Sequence, residues 1–325
     1  MQALAIDTGF FADVYGVPQW LTIRGADRRN PALLIVGGPG FGYAALAPFF
    51  STWERDFTLV HWDQPGAGFT FGKNGDAATG PLSIERLVRD GVRVAELVCA
   101  ELGAERIAPL CVSGGTIVGL HMLLRRPDLF SGYIGTGQFV DWARQDALSY
   151  ALLLERARAR GDAVMLAELA EIGAPPYVDT PTDARKSKYA GAPTAGEAAA
   201  FAELMPLVAA AMQGVPAGAA YLAHAVAWPD PLTRATTAYD ALRPELVGFD
   251  ARRLGRRFAV PLFFFQGTDD VFSVTTEVER YATEIEAPRA ELVPIEGGGH
   301  SAVLLRAAFL AQLLARVRPT LLSPV

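Results

Sequence analysis

Apolar and polar positions fall into two repeating patterns along this chain, and their alternation predicts its architecture. Phe10 to Arg24 (FFADVYGVPQWLTIR) has a strand pattern interrupted at Gly16-Val17-Pro18, which predicts two strands joined by a turn at the edge of a sheet. Pro31 to Gly40 (PALLIVGGPG) and Phe57 to Gln64 (FTLVHWDQ) are unbroken apolar runs, as expected of strands buried on both faces, each running into glycine-rich sequence. Ser83 to Leu102 changes to helical spacing through Ile84, Leu87, Val88, Val94, Ala95, Val98 and Leu102, with Ser83 placed as N-cap and Gly103 past the end. A strand over Arg106 to Val112, a helix over Gly114 to Arg126 stopped by Pro127, and a short strand over Gly132 to Val140 continue the alternation. Strands and helices that alternate at this spacing imply crossover units and a mostly parallel sheet covered on both faces.

At about Asp141 the alternation stops, and residues 141–255 read as helical and alanine-rich, with a segment of loop composition at Tyr177 to Glu197. It returns with a strand over Phe258 to Gln266, a helix from about Val274, a strand over Ala290 to Ile295 and a last helix from about Ala302. The expected organisation is therefore an α/β core built from residues 1–140 and 256–325, with 141–255 inserted as a helical cap.

Composition narrows the partners more than the fold. The chain has 325 residues, 51% of them hydrophobic, and a formal charge of −6 without a basic cluster, so nucleic acid is an unfavoured partner. Cys99 and Cys111 do not make a disulfide framework or zinc spacing and read as buried free thiols, and four scattered histidines argue against a metal site. The N-terminus lacks the pattern of a secretory signal, so a cytoplasmic location is expected. The uncharged run Met205 to Trp228 is broken by Gly214, Pro216 and Gly218, and reads as two buried helices rather than a membrane span.

The candidate chemistry sits at strand ends, where open parallel sheets bind ligands. In PLCVSGGT (Pro109 to Thr116), Ser113 stands between a strand and a helix in a turn that needs small neighbours two residues away on each side; here these are Cys111 and Gly115. After the strand ending near Gln266 comes GTDD, with Asp270, and after Ile295 comes GGGH, with His300. The order serine, acid, histidine is that of a hydrolase triad, with Asp269 as the alternative acid. Among the other histidines, His61 is expected beside the sheet, His121 within a helix and His224 in the cap.

These motifs resemble the α/β-hydrolase superfamily and, within it, the proline iminopeptidase-like serine peptidases. VGGPG at Val36 to Gly40 is similar to that group's HGGPG loop, and DQPGAGFT at Asp63 to Thr70 to its DQRGxGxS. The resemblance implies an α/β-hydrolase fold, Ser113 as nucleophile, His300 as base, Asp270 as its partner, and an oxyanion hole from the backbone N–H groups of Gly38 and Gly114. It also implies hydrolysis of a small amide or peptide with a free N-terminal residue, without cofactor or metal. A small hydrophobic ester or lactone is the alternative substrate, and a decayed ligand-binding member of the fold is the second alternative. Val36, Cys111 and Gly114 depart from the group, which usually has histidine, glycine and tryptophan there. No acidic pair for a substrate amine is evident; Glu155, Glu168, Glu171 and Glu203 are the candidates.

Overall fold

The computed structural model describes residues 5–177, 179–224 and 232–322. Strands β1 (Ile6–Val14) and β2 (Val17–Gly25) form the antiparallel hairpin, but they turn at Tyr15-Gly16, one residue earlier than the sequence suggests. Both turn residues have positive φ, 52° and 83°, the requirement of the tightest hairpin turn, and Val17 and Pro18 are thereby free to begin β2.

Next come β3 (Ala32–Val36), a 3-10 helix (Ala44–Trp53), β4 (Thr58–Trp62), and helices α1 (Gly68–Thr79) and α2 (Ile84–Leu102). The cap residues of α2 behave as their chemistry dictates. Ser83 accepts a hydrogen bond from the Arg86 amide, and Gly103 closes the helix at φ 64°. Then follow β5 (Ala108–Val112), α3 (Gly115–Arg125) and β6 (Tyr133–Thr136).

Between β6 and the next strand lie helices α4 (Trp142–Arg160), α5 (Ala163–Ile172), α6 (Thr180–Ala190), α7 (Ala195–Gln213), α8 (Pro216–His224) and α9 (Leu232–Val247). Helix α6 corrects the loop reading of Tyr177 to Glu197. Asp179 caps it by accepting from the Thr182 amide, and Pro181 occupies a first-turn position where no amide is needed, so residues that signal a loop here start a helix. The expectation of two buried helices over Met205 to Trp228 also changes. Residues 225–228 lie outside the described residues, and α7 buries Leu204, Val208 and Met212 while Phe201, Ala202, Pro206 and Ala210 are exposed. Among the described residues α7 is the one helix long and apolar enough to cross a membrane by length and composition.

The chain closes with β7 (Leu262–Gly267), α10 (Thr275–Glu284), β8 (Ala290–Ile295), a short 3-10 turn at Ala302–Leu304, and α11 (Arg306–Gln312) continuing through a π turn into α12 (Arg318–Leu322). The eight strands form one sheet in the order β1-β2-β4-β3-β5-β6-β7-β8, parallel from β4 through β8.

Two apolar layers sandwich this sheet, which is why its strands are continuous apolar runs. On β7, Leu262 and Phe264 enter one layer while Phe263 and Phe265 enter the other. Each of those buried aromatics contributes about 1.5–3 kcal/mol relative to exposure. A sheet held this firmly on both faces gives fixed ends to β3, β5, β7 and β8, and the candidate residues follow those four ends.

Candidate active site

Ser113 follows β5 directly, and its φ of 54° places a non-glycine residue in the left-handed region, as the sharp turn from strand to helix demands. Its amide donates to the Thr136 carbonyl at 2.9 Å, tying the turn to β6. The small-neighbour rule operates unequally on the two sides. A side chain at Gly115 would place its Cβ 2.1 Å from the Val36 carbonyl oxygen, so no substitution fits there. Cys111 is fully buried, and room for its sulfur comes from Gly119 one turn along α3, where an added Cβ would lie 2.2 Å from Cys111 Sγ. The glycine missing from the strand side of the elbow has its counterpart in the helix.

The structure brings Ser113, His300 and Asp270 together. Ser113 Oγ lies 2.8 Å from His300 Nε2, and His300 Nδ1 lies 3.1 Å from Asp270 Oδ2. Asp270 is buried and every acceptor direction is used. Oδ1 accepts the amides of Phe272 and Ser273 at 2.8 and 3.0 Å; Oδ2 accepts the Gln266 side chain at 2.9 Å and the Ser273 hydroxyl. Burial pushes this carboxyl up, but its interaction with His300 and these hydrogen bonds outweigh it and hold Asp270 below the usual carboxylate range. Asp269 is exposed and points to Arg156, 3.8 Å away, so of the two acids it is Asp270 that meets the histidine. The His300 ring is held from the side by Phe272, at a centroid distance of 4.6 Å, and by Phe139 at 6.1 Å.

Several positioning groups carry no motif in the sequence. Buried Glu197, at the start of α7, accepts the Gly299 amide at 2.9 Å and so ties the glycine loop before His300 to the helices that follow β6. Its spacing from Thr194 is a capping box, a signal legible in the sequence as a helix start but not as a brace for the histidine loop. Asp63 and Gln64 brace the opposite loop. Asp63 accepts the amides of Ala44 and Phe69, both at 2.8 Å, and Gln64 donates to the Gly37 carbonyl at 2.7 Å. Burial raises the Asp63 carboxyl to about 7 against those backbone amides. DQPGAG therefore shapes the GGPG loop from within.

Gly38 and Gly114 are also adjacent: the Cβ position of Gly38 is 3.8 Å from the Gly114 nitrogen. The Tyr239 hydroxyl lies beside both, close to the Cβ positions of Gly114 and Gly38, and the Tyr43 ring covers Gly37. Neither tyrosine stands in a recognisable motif.

Beside Ser113 opens a cavity of about 200 Å³, walled by Phe41, Leu46, Leu204, Met205, Val208 and Leu304, with Ser113 and His300 at its edge. Apart from His300, no acidic or basic side chain lines it among the described residues. The glutamates considered for an amine subsite are elsewhere. Glu155 is exposed; Glu168 pairs with Arg185 and Lys188, Glu171 with Arg185, and Glu203 with Arg306. His61 is buried in β4 with both ring nitrogens unpartnered, and burial lowers it to about 3. His121 Nδ1 is 2.8 Å from the Ile117 carbonyl within α3, and the side chain of His224 lies outside the described residues. Cys99 and Cys111 are buried free thiols.

No family model matches the chain. It is 26% identical over 309 residues to a probable aminopeptidase of Bacillus subtilis, covering 92% of each sequence. Among solved structures, it superposes on a proline iminopeptidase-related protein of Thermus thermophilus with a TM-score of 0.60, at 18% identity, over 97% of this chain and 99% of that one. It superposes on a Rhodococcus esterase with a TM-score of 0.56, at 13% identity, over 96% and 98%. With these similarities added to its sheet order, elbow and strand-end loops, the chain is an α/β-hydrolase by fold, similar to the proline iminopeptidase-like hydrolases.

Proposed function

We propose that this protein is a serine hydrolase that forms an acyl-enzyme on Ser113 from a small substrate with an uncharged, apolar acyl group. The hydrogen-bonded line Ser113–His300–Asp270 at the mouth of an apolar cavity carries this reading. Ser113 Oγ attacks the carbonyl carbon as His300 Nε2 takes its proton, and the carbonyl electron pair moves onto oxygen. The bond to the leaving group then breaks as His300 returns the proton to it. Water, deprotonated by the same nitrogen, repeats the sequence and releases the acid. Asp270, fixed by five donors, keeps the Nδ1 proton in place and so keeps Nε2 available as base. Backbone amides at Gly38 and Gly114 supply the oxyanion hole, each worth about 3 kcal/mol in comparable sites. Residues 141–255 serve as the cap, since α7 contributes Leu204, Met205 and Val208 to the cavity wall.

Aminopeptidase action on a short peptide is the second reading, favoured by the curated relative's name and by the GGPG and DQPGAG motifs. The cavity supports the first reading over it, because a protonated amine in an apolar pocket without a carboxylate partner loses its hydration uncompensated. Hydrolysis of p-nitrophenyl butyrate measured beside prolyl p-nitroanilide separates them. Ester turnover exceeding arylamide turnover by 100-fold or more supports the apolar-acyl reading. Comparable kcat/KM on the arylamide overturns it in favour of the aminopeptidase.

A further inference from the structure

The candidate oxyanion hole contains a group that the triad does not explain. Tyr239, on α9, places its hydroxyl between the two glycines that should receive the oxyanion: the oxygen is 2.4 Å from the Cβ position of Gly114 and 3.2 Å from that of Gly38. Any side chain at position 114 would collide with it, so the absence of a side chain there and the presence of this phenol belong together. The hydroxyl thus adjoins Ser113 and the Gly114 amide, both of which favour its ionised form against burial.

The direction of the hydrogen bonds among these groups follows from counting protons. His300 Nδ1 faces Asp270, an acceptor, and therefore carries the ring proton; Nε2 is then an acceptor, and the single Ser113 proton goes to it. With that proton committed, Ser113 Oγ can only accept from Tyr239, so the tyrosine O–H donates to the nucleophile. The Gly114 N–H, next to the tyrosine oxygen, can meet it only as a donor. The phenol thus stands where an oxyanion would stand, with its own proton aimed at the atom that attacks.

Both facts point to one role. When Ser113 Oγ bonds to the carbonyl carbon, the new oxyanion lies one bond from that carbon and takes the Gly114 amide that the tyrosine oxygen held. The phenol must shift by about 3 Å, the separation of hydrogen-bonded oxygens, and its proton then faces the oxyanion. Burial pushes the Tyr239 hydroxyl up to about 12, so it keeps that proton at neutral pH. Tyr43, whose ring covers Gly37, borders the same space and bounds the direction of the shift.

We propose that Tyr239 is a further catalytic residue: its hydroxyl fills the oxyanion position in the free protein and, on being displaced by the substrate carbonyl oxygen, donates a third hydrogen bond to the oxyanion. The proton stays on the tyrosine throughout. This role rests on the proposed serine hydrolase chemistry, and it makes the insertion between β6 and β7 part of the reacting centre.

Tyr239→Phe in the full chain removes the donor and leaves the ring. Steady-state hydrolysis of p-nitrophenyl butyrate is measured for wild type, Tyr239→Phe, Tyr239→Leu and Ser113→Ala, with inhibition by butaneboronic acid, whose serine adduct is tetrahedral. The expected result for Tyr239→Phe is a fall in kcat of about 100-fold, as for loss of one oxyanion donor, with KM within threefold and a similar weakening of the boronate. Tyr239→Leu, the variant that decides if the phenylalanine protein does not fold, should lose at least as much. A kcat within threefold of wild type, or above it, in either folded variant overturns the proposal and leaves the phenol as a mere occupant of the hole. Wild-type turnover no greater than that of Ser113→Ala overturns the hydrolase reading itself, and this role with it.

Discussion

Replacing Asp270 by asparagine should abolish the chemistry without unfolding the site, and the surrounding donors say why. Oδ1 accepts two backbone amides, from Phe272 and Ser273, which cannot turn away, so the asparagine oxygen must take that position. Its NH2 group then points where Oδ2 stood, at His300 Nδ1. A donor facing Nδ1 makes that nitrogen the acceptor and moves the ring proton to Nε2, where it faces Ser113. His300 then has no lone pair for the serine proton. The tautomer reversal in a comparable triad lowers kcat about 10⁴-fold, equivalent to about 5.4 kcal/mol of transition-state stabilisation. The assay is kcat/KM on p-nitrophenyl butyrate, with thermal melting to show that the variant is folded and Asp269→Asn as control. Asp269→Asn should stay within twofold of wild type, because its carboxylate is exposed and faces Arg156. An Asp270→Asn variant within tenfold of wild type would refute the tautomer argument.

Two further consequences concern the elbow and pH. Gly119→Ala gains about 1 kcal/mol of helix propensity, but its Cβ meets Cys111 Sγ at 2.2 Å, an overpacking worth about 1–3 kcal/mol, so the variant should be less stable. In a Cys111→Ala background the loss should shrink, leaving the contacts with Tyr133 at 3.0 Å and with the Cβ of residue 111 at 3.3 Å, and additive denaturation energies would show that the two residues do not interact. Asp270 has its folded carboxyl held below the ordinary value of about 3.9, so its ionisation stabilises the fold above that pH and the contribution is lost as pH falls through the folded value. The difference in melting temperature between wild type and Asp270→Asn should therefore shrink from pH 6 to pH 3; a constant difference would contradict that sign.

Residues whose role follows from chain order and strand ends were legible in the sequence; those whose role depends on another element were not. The runs ALLIV, TLVHW and LFFFQ announce buried strands because two apolar layers enclose them, and Ser113, Asp270 and His300 come after the ends of β5, β7 and β8. The strand Ala290–Ile295 and the Ser83 and Gly103 caps rest on local chemistry and could be read locally. Tyr239 could not be, since α9 carries it to Ser113 from more than a hundred residues away. Glu197 likewise reads as an ordinary helix start, and only the folded chain shows it holding the Gly299 amide. Helix α6 was hidden for the opposite reason: Asp179, Thr180 and Pro181 suit a loop and a helix N-terminus equally, and the contacts α6 makes with α5 and α9 decide between them. Cys111 can stand in the elbow in place of glycine because Gly119 beneath it leaves room for its sulfur.

The central claim is that Ser113 is an activated nucleophile, and a fluorophosphonate probe tests it most directly. Incubation of wild type and Ser113→Ala with the probe, followed by digestion and mass spectrometry, should show one phosphonyl adduct in wild type, on the peptide containing Ser113, and none in the variant. Equal labelling of both proteins, or an adduct on another residue while Ser113 stays unmodified, would contradict the account.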